Sequence, residues 1–190
     1  MPPAADKNLH EKILNAALRL LRSRGEASLS LRKVASAAGT TTPTVYKRFR
    51  NKQALLLALA LRLRDELNDA LFKSKSLQEA CRVYLRYAED HPNEYKLLFL
   101  LWNEIFGSDR PRPGLDWARK QLARKFGGKP EEYERFTYAI WLICHGGATL
   151  LTAPSDLRRR SEHREQTLAI CDTLLQSGEC LRAPAATPAA

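Results

Sequence analysis

Apolar residues recur three or four positions apart along nearly the whole chain, the interval that lines one face of an α-helix. Ile13, Leu14, Ala17, Leu20 and Leu21 make such a stripe over residues 9–24, and Gly25 ends it. Val34, Ala35 and Ala38 make a shorter stripe over 31–38, and Val45 and Phe49 another over 42–49. The longest regular seam is Leu55, Leu56, Leu59, Leu63 and Leu67, within a helix predicted over 51–72. Ala80, Val83, Tyr84 and Tyr87 point to one side of a helix over 77–90, and Tyr95, Leu98, Phe99, Trp102 and Phe106 to one side of a helix over 92–106. Trp117 and Leu122 belong to a helix over 115–126. The helix over 131–153 is apolar nearly all round between Tyr138 and Leu151, so it needs cover on several sides. Leu168, Cys171, Leu174 and Leu175 face inward on a last helix ending near Gln176, which Ser155 caps after Pro154. The pattern predicts an all-α chain of about nine helices, with disordered Pro/Ala-rich ends at 1–7 and 179–190.

The stretch 31–49 is the most specific part of this pattern. Ser30 caps the first of two short helices, and Gly39 ends it because glycine enters the left-handed C′ conformation without steric cost. Thr41 or Thr42 caps the second helix, and Pro43 is tolerated in its first turn. Val45 and Phe49 turn inward together, which leaves Thr42, Thr44, Lys47 and Arg48 on outer faces and Tyr46 at the edge. This is a helix-turn-helix, a motif whose second helix enters the DNA major groove. Arg32 and Lys33 occupy the first turn of its first helix, where each cation opposes the helix dipole at a cost of about 0.3–1 kcal/mol. A nearby phosphate backbone would reverse the sign of that interaction. Asn51 caps the next helix, and Lys52 beside its exposed N–H groups makes a phosphate site.

The charge distribution agrees. The chain of 190 residues carries a net charge of +10. Residues 1–55 hold eleven Lys/Arg against three Asp/Glu, and the remaining residues hold twenty against eighteen. A basic excess concentrated on the helix-turn-helix segment favours nucleic acid over general solubility. Cys81, Cys144, Cys171 and Cys180 are widely spaced, with no CxxC and no Cys/His pairing at zinc spacing, and read as buried free thiols with no metal. Asp6 and Lys7 without an apolar run argue against a signal peptide, and no apolar run reaches membrane-spanning length. The expected location is the cytoplasm, with no membrane partner.

The run Gly39-Thr40-Thr41-Thr42-Pro43-Thr44-Val45-Tyr46-Lys47-Arg48-Phe49-Arg50-Asn51-Lys52-Gln53-Ala54-Leu55 resembles the DNA-binding signature of TetR (tetracycline-repressor type) regulators, with a Gly turn, a small or polar cap, then Tyr, Phe, Lys and Leu at these spacings. The resemblance covers about residues 8–56. It implies a homodimer on double-stranded DNA, most often a repressor, with a variable ligand-binding domain. It also implies that Thr41, Tyr46 and Lys52 contact phosphates while Thr42, Thr44 and Lys47 face bases or their sugars. Pro43 departs from the pattern, because a smaller, flexible residue is common there, and a local change in base contacts is expected. With Ser30, Arg32 and Lys33, these residues make the expected DNA surface. On this reading residues 8–55 form the DNA-binding domain, with a linking helix from 51, and residues 56–178 the ligand-binding and dimerisation domain.

Trp141-Leu142-Ile143-Cys144-His145-Gly146-Gly147 resembles the Trp…His-Gly motif of one group of TetR ligand domains, and His91-Pro92-Asn93-Glu94-Tyr95 with Leu97 and Phe99 resembles that group's His-Pro-x-x-Tyr segment. Tyr95, Phe99, Trp102, Asn103, Phe106, Trp117, Tyr138, Trp141 and His145 are the expected pocket lining, suited to a flat, mostly uncharged effector. Gly146 and Gly147 admit a close backbone neighbour. With Leu150, Leu168, Cys171 and Leu175 they make the expected dimer seam. Cys144 and His145 are adjacent on a helix and point about 100° apart, so they form no nucleophile–base pair. There is no HExxH, P-loop or GxSxG, so an enzyme is not expected and no cofactor is implied. The alternative to a ligand-responsive regulator is an architectural DNA-binding protein with no effector.

Overall fold

The structure, a computed structural model, describes residues 4–107, 111–153 and 156–177. Those residues form ten α-helices and two 3₁₀ turns, with no strand among them. In order they are α1 (Ala4–Arg24), a 3₁₀ turn (Glu26–Ser28), α2 (Leu31–Ala37), α3 (Thr42–Tyr46), α4 (Lys52–Phe72), α5 (Leu77–Asp90), α6 (Pro92–Leu100), α7 (Trp102–Phe106), α8 (Pro113–Phe126), a second 3₁₀ turn (Pro130–Tyr133), α9 (Glu134–Thr152) and α10 (Leu157–Gln176). The all-α expectation holds. α1 begins at Ala4, within the stretch expected to be disordered. The expected tail from 179, and the Pro154 and Ser155 helix signals, lie outside the described residues; Asp156 caps α10, its side chain accepting from Arg159 N–H at 2.7 Å. The chain forms two compact units, one of the described residues up to 66 with 91–107, the other of 67–90 and those from 111 on.

In the first unit the predicted stripes are buried. Ile13, Leu14, Ala17 and Leu21 of α1 pack inward with Ala16 and Leu18, and Leu55, Leu56, Leu59 and Leu63 form the α4 seam. The segment after His91 docks on the C-terminal end of α1. Glu94 is 2% exposed, and its Oε1 accepts from Arg22 Nε at 2.7 Å and lies 3.3 Å from His91 Nδ1. Asn93 donates to the Arg22 carbonyl at 3.1 Å, satisfying an orphan acceptor at the α1 end. The helix predicted over 92–106 is two helices. Leu101 leaves helical geometry at φ −105°, ψ 24°. This break buries Leu97, Leu98, Leu101 and Ile105, whereas Phe99, expected inward, is 55% exposed.

The second unit is built on α5, α9 and α10. Leu77, Leu122, Tyr133, Phe136 and Leu175 form one buried cluster, with Trp117 and Phe126 packed against it. The expected helix start at 131 is a 3₁₀ turn, where Tyr133 is fully buried and donates its hydroxyl to the Gly127 carbonyl at 2.8 Å. On α5 the inward residues are Leu77, Ala80, Cys81, Leu85 and Ala88, about one position out of phase with the predicted face. The small side chains among them suit close helix packing. Glu89 on α5 accepts from Arg164 Nη1 of α10 at 2.8 and 2.9 Å.

Where α9 meets α10, a Cβ on Gly147 would overlap the Cβ, Cγ2 and Oγ1 of Thr167. Gly147 is therefore consumed inside the chain, as are Cys171 and Leu175, each 0% exposed. The seam expected between two copies is in these three positions an intrachain helix contact, because α10 folds back on α9. Gly146 has open space around it, with nothing within 4 Å of an added Cβ. Gly147→Ala should destabilise the fold by about 1–3 kcal/mol through overpacking. Thr167→Ala should recover part of that loss, so urea unfolding of both single variants and the double variant should give a non-additive cycle.

Candidate nucleic-acid interface

The helix-turn-helix is set by local hydrogen bonds that the side chains themselves supply. Ser30 sits in extended geometry, and its Oγ accepts from the Lys33 N–H at 3.3 Å. At the other end of α2, Gly39 has φ +61°, its N–H donates to the Ser36 carbonyl at 3.1 Å, and the Thr40 N–H donates to the Ala35 carbonyl at 3.0 Å. This is a Schellman ending, and only glycine takes that C′ conformation without strain. Thr41 then caps α3. Its Oγ1 accepts from the Thr44 N–H at 3.3 Å and lies 2.8 Å from Thr44 Oγ1. Asn51 Oδ1 accepts from the Ala54 N–H at 2.8 Å and caps α4. Val45 and Phe49 are buried, and the Phe49 ring stacks on His10 at 5.1 Å. α3 ends at Tyr46, shorter than predicted, although the Phe49 N–H still donates to the Val45 carbonyl at 2.9 Å.

Around these caps the surface is cationic. Arg32, Lys33, Thr41, Pro43, Lys47, Arg48 and Arg50 are exposed, as is Tyr46 at 55%. Arg50 was not among the expected contacts, although it lies one residue beyond Phe49. Thr42, Thr44 and Ser30 are half-buried, with the Thr44 hydroxyl held by Thr41. α2, α3 and α4 have no acidic residue in their first turns, so three successive positive helix ends are uncompensated within their own helices. Lys52 is placed differently from the expectation of an open phosphate site. Its Nζ pairs with Glu26 Oε1 at 2.5 Å and donates to the Glu26 carbonyl at 3.3 Å. The partner lies in a 3₁₀ turn 26 positions earlier, which helical spacing does not reveal.

The expected pocket residues divide between the units. Tyr95, Phe99, Trp102, Asn103 and Phe106 fall in the first, and Trp117, Tyr138, Trp141 and His145 in the second. Trp102 and Phe106 have ring centroids 4.2 Å apart. Trp141 stacks on His145 at 5.2 Å and meets Tyr138 at 5.5 Å, a ladder along α9, and Tyr84 Oη lies 3.3 Å from His145 Nδ1. Trp117 instead packs near Phe72, with ring centroids 6.1 Å apart. A cavity of about 230 Å³ in the second unit is lined by Lys75, Ser76, Leu77, Gln78, Gln121, Arg124, Lys125 and Leu175, and by none of the nine expected pocket residues. The largest surprise is that Cys81, Cys144 and Cys171, read as unrelated thiols, meet. Their sulfurs all lie within 4.8 Å of one another.

Burial lowers the pKa of His145 below its ordinary 6.5. The folded state then favours neutral imidazole, and the unfolded chain binds the proton first. The His145 contribution is complete above pH 6.5 and declines as the pH falls through that value, until the folded histidine also protonates. A His145→Gln variant should show a flatter fall in thermal midpoint between about pH 7 and 5 than the parent; parallel curves would remove His145 from the account.

Residues 13–59 match the family of bacterial regulatory proteins, tetR family. The class D tetracycline repressor protein of Escherichia coli is 43% identical over 76 residues, 40% of this chain and 34% of that protein. The chain thus spans about a third of the length of the curated relatives it matches. TetR from Acinetobacter baumannii AYE superposes with a TM-score of 0.68 at 20% identity, covering 90% of this chain and 97% of that one. A variant of that protein in complex with minocycline superposes with the same score at 22% identity, with the same coverage. The chain is thus similar to the tetR family of bacterial regulatory proteins over residues 13–59, and over nine-tenths of its length it shares the fold of solved TetR structures.

Proposed function

We propose that the protein is a ligand-responsive, sequence-specific DNA-binding regulator that docks as a homodimer on a palindromic operator and acts as a repressor. The observation that carries this reading is the exposed rim of the helix-turn-helix. Tyr46, Lys47 and the α2 cations project around capped helix ends that have no local counter-charge. In this reading Arg32, Lys33, Thr41 and Tyr46 contact phosphates, and Thr42, Pro43, Thr44 and Lys47 face base edges or sugars. Lys52 reaches phosphate by exchanging its Glu26 partner.

The dimer seam in this reading uses what α9 and α10 leave exposed. Tyr138, Leu142 and Leu150 on α9 and Ile170 on α10 are each about half exposed, and Gly146 falls on the same i, i+4 row as Leu142 and Leu150. Exposed apolar groups of this size along helix faces suit a self-complementary interface. The effector class is a flat, mostly apolar molecule, supported by the Tyr138, Trp141 and His145 ladder; a solved TetR variant of this fold is in complex with a small molecule, minocycline. A rearrangement of the segment 91–107 would act on α1 through Arg22 and Glu94. It would thereby change the spacing of the two recognition helices, which must match half-sites a helical turn or a multiple apart. The same coupling must operate in reverse, with operator DNA weakening effector binding equally.

Selection of bound fragments from genomic DNA tests the reading. A two-fold symmetric consensus is expected; bound fragments with no shared sequence overturn it in favour of an architectural DNA-binding protein. Lys47→Ala should relax base preference at one position of each half-site, at about 1–3 kcal/mol if the contact is bidentate to guanine. An unchanged consensus would remove Lys47 from base readout. Glu26→Gln should release Lys52, raise affinity for operator and random DNA alike, and steepen the salt dependence by about 1 in log–log slope. If the slope stays put in salt titrations of the variant, Lys52 does not reach phosphate.

A further inference from the structure

Three helices distant in sequence each bring one cysteine to the same point in the second unit. Cys81 is on α5, Cys144 on α9 and Cys171 on α10. All three are buried and free, and Cys144 Sγ lies 3.6 Å from Cys171 Sγ. Tyr84, Ile140, Ile143 and Leu168 pack around them. A trivalent centre with a lone pair is pyramidal, so three sulfurs bonded to it at about 2.3 Å lie about 3.4–3.5 Å apart. The Cys144–Cys171 spacing of 3.6 Å is already close to that, and no pair exceeds 4.8 Å, so a modest contraction closes the triangle. No histidine or carboxylate joins the three sulfurs within that distance among the described residues.

We propose that Cys81, Cys144 and Cys171 form a three-coordinate site for a trivalent metalloid, arsenic(III) or antimony(III). Donor softness excludes magnesium and calcium, and a structural zinc site asks for a fourth ligand. Charge then decides among thiophilic ions. Three thiolates leave a copper(I) complex at −2 and a divalent complex at −1, whereas a trivalent complex is neutral. The site is largely apolar, lined by Tyr84, Ile140, Ile143 and Leu168. Burying net charge there is costly, so the neutral product is favoured.

The reaction involves no electron transfer. Each sulfur–arsenic bond replaces an arsenic–hydroxyl bond of arsenous acid, and each departing hydroxide leaves as water with a proton. Three thiols therefore release three waters. Where one sulfur is already a thiolate, one proton is taken from solvent instead. The bound product would tie α5, α9 and α10 together. This site is independent of the DNA-binding reading.

The test uses the full chain with Cys180→Ser, reduced with a phosphine and incubated with sodium arsenite or potassium antimonyl tartrate. Native mass spectrometry should show one arsenic per chain less three hydrogens, and X-ray absorption should show a shell of three sulfurs. Cys81→Ser, Cys144→Ser and Cys171→Ser should each lose the three-sulfur shell, with far-ultraviolet circular dichroism reporting whether the variant is folded. The unmutated trio decides the matter even if a variant unfolds. A shell containing oxygen, a gain short of the three-hydrogen loss, or displacement of arsenic by stoichiometric zinc would overturn the proposal.

Discussion

A buried carboxylate fixes the geometry beneath the helix-turn-helix end. Glu94 is almost fully enclosed, and a charge so placed is tolerated only when paired and hydrogen-bonded. Arg22 supplies the ion pair from the last turn of α1, and Asn93 satisfies the Arg22 carbonyl that the helix end leaves open. The segment after His91 is therefore locked to the same helix that supports α2 and α3. Removing Arg22 would take away the carboxylate's link to α1 and leave His91 Nδ1 beside it at 3.3 Å, loosening the hold of that segment on the helix.

The three thiols play a comparable organising part in the second unit. Among their buried residues α5 has Ala80, Cys81 and Ala88, α9 has Cys144 and Gly147, and α10 has Thr167 and Cys171. Small residues let the backbones approach, and Gly147 admits the whole Thr167 side chain. The same closeness brings the sulfurs together. Packing and thiol chemistry are thus two results of one choice of side-chain size.

Signals that act within a few residues were legible in the sequence. Ser30, Gly39, Thr41 and Asn51 announce their helix ends because each cap bonds to a backbone group two to five positions away. The α4 seam was legible because it is regular and uninterrupted. What could not be read was decided by partners distant in the chain. Lys52 is claimed by Glu26, the phase of α5 by its packing against α9 and α10, and the break at Leu101 by the burial of Ile105. Periodicity states that a face is buried, but it does not say against what. For this reason Cys171 and Leu175 were rightly expected to be covered and wrongly assigned to a second chain.

The local faults fall where an anionic partner would relieve them. Arg32 and Lys33 stand at the positive end of α2, α3 is short and carries Pro43, and neither α2 nor α3 has an acidic residue in its own first turn. An isolated segment of this kind would be a poor helix-former. It is held instead by burial of Val34, Ala35, Val45 and Phe49 and by the stacking of His10 on Phe49. Departures from local consistency that cluster on one surface, with packing beneath to sustain them, are what a binding surface requires. The helix-turn-helix is therefore stabilised from within by apolar contact, and its outer face carries a surplus of positive charge of the kind a phosphate backbone would complement.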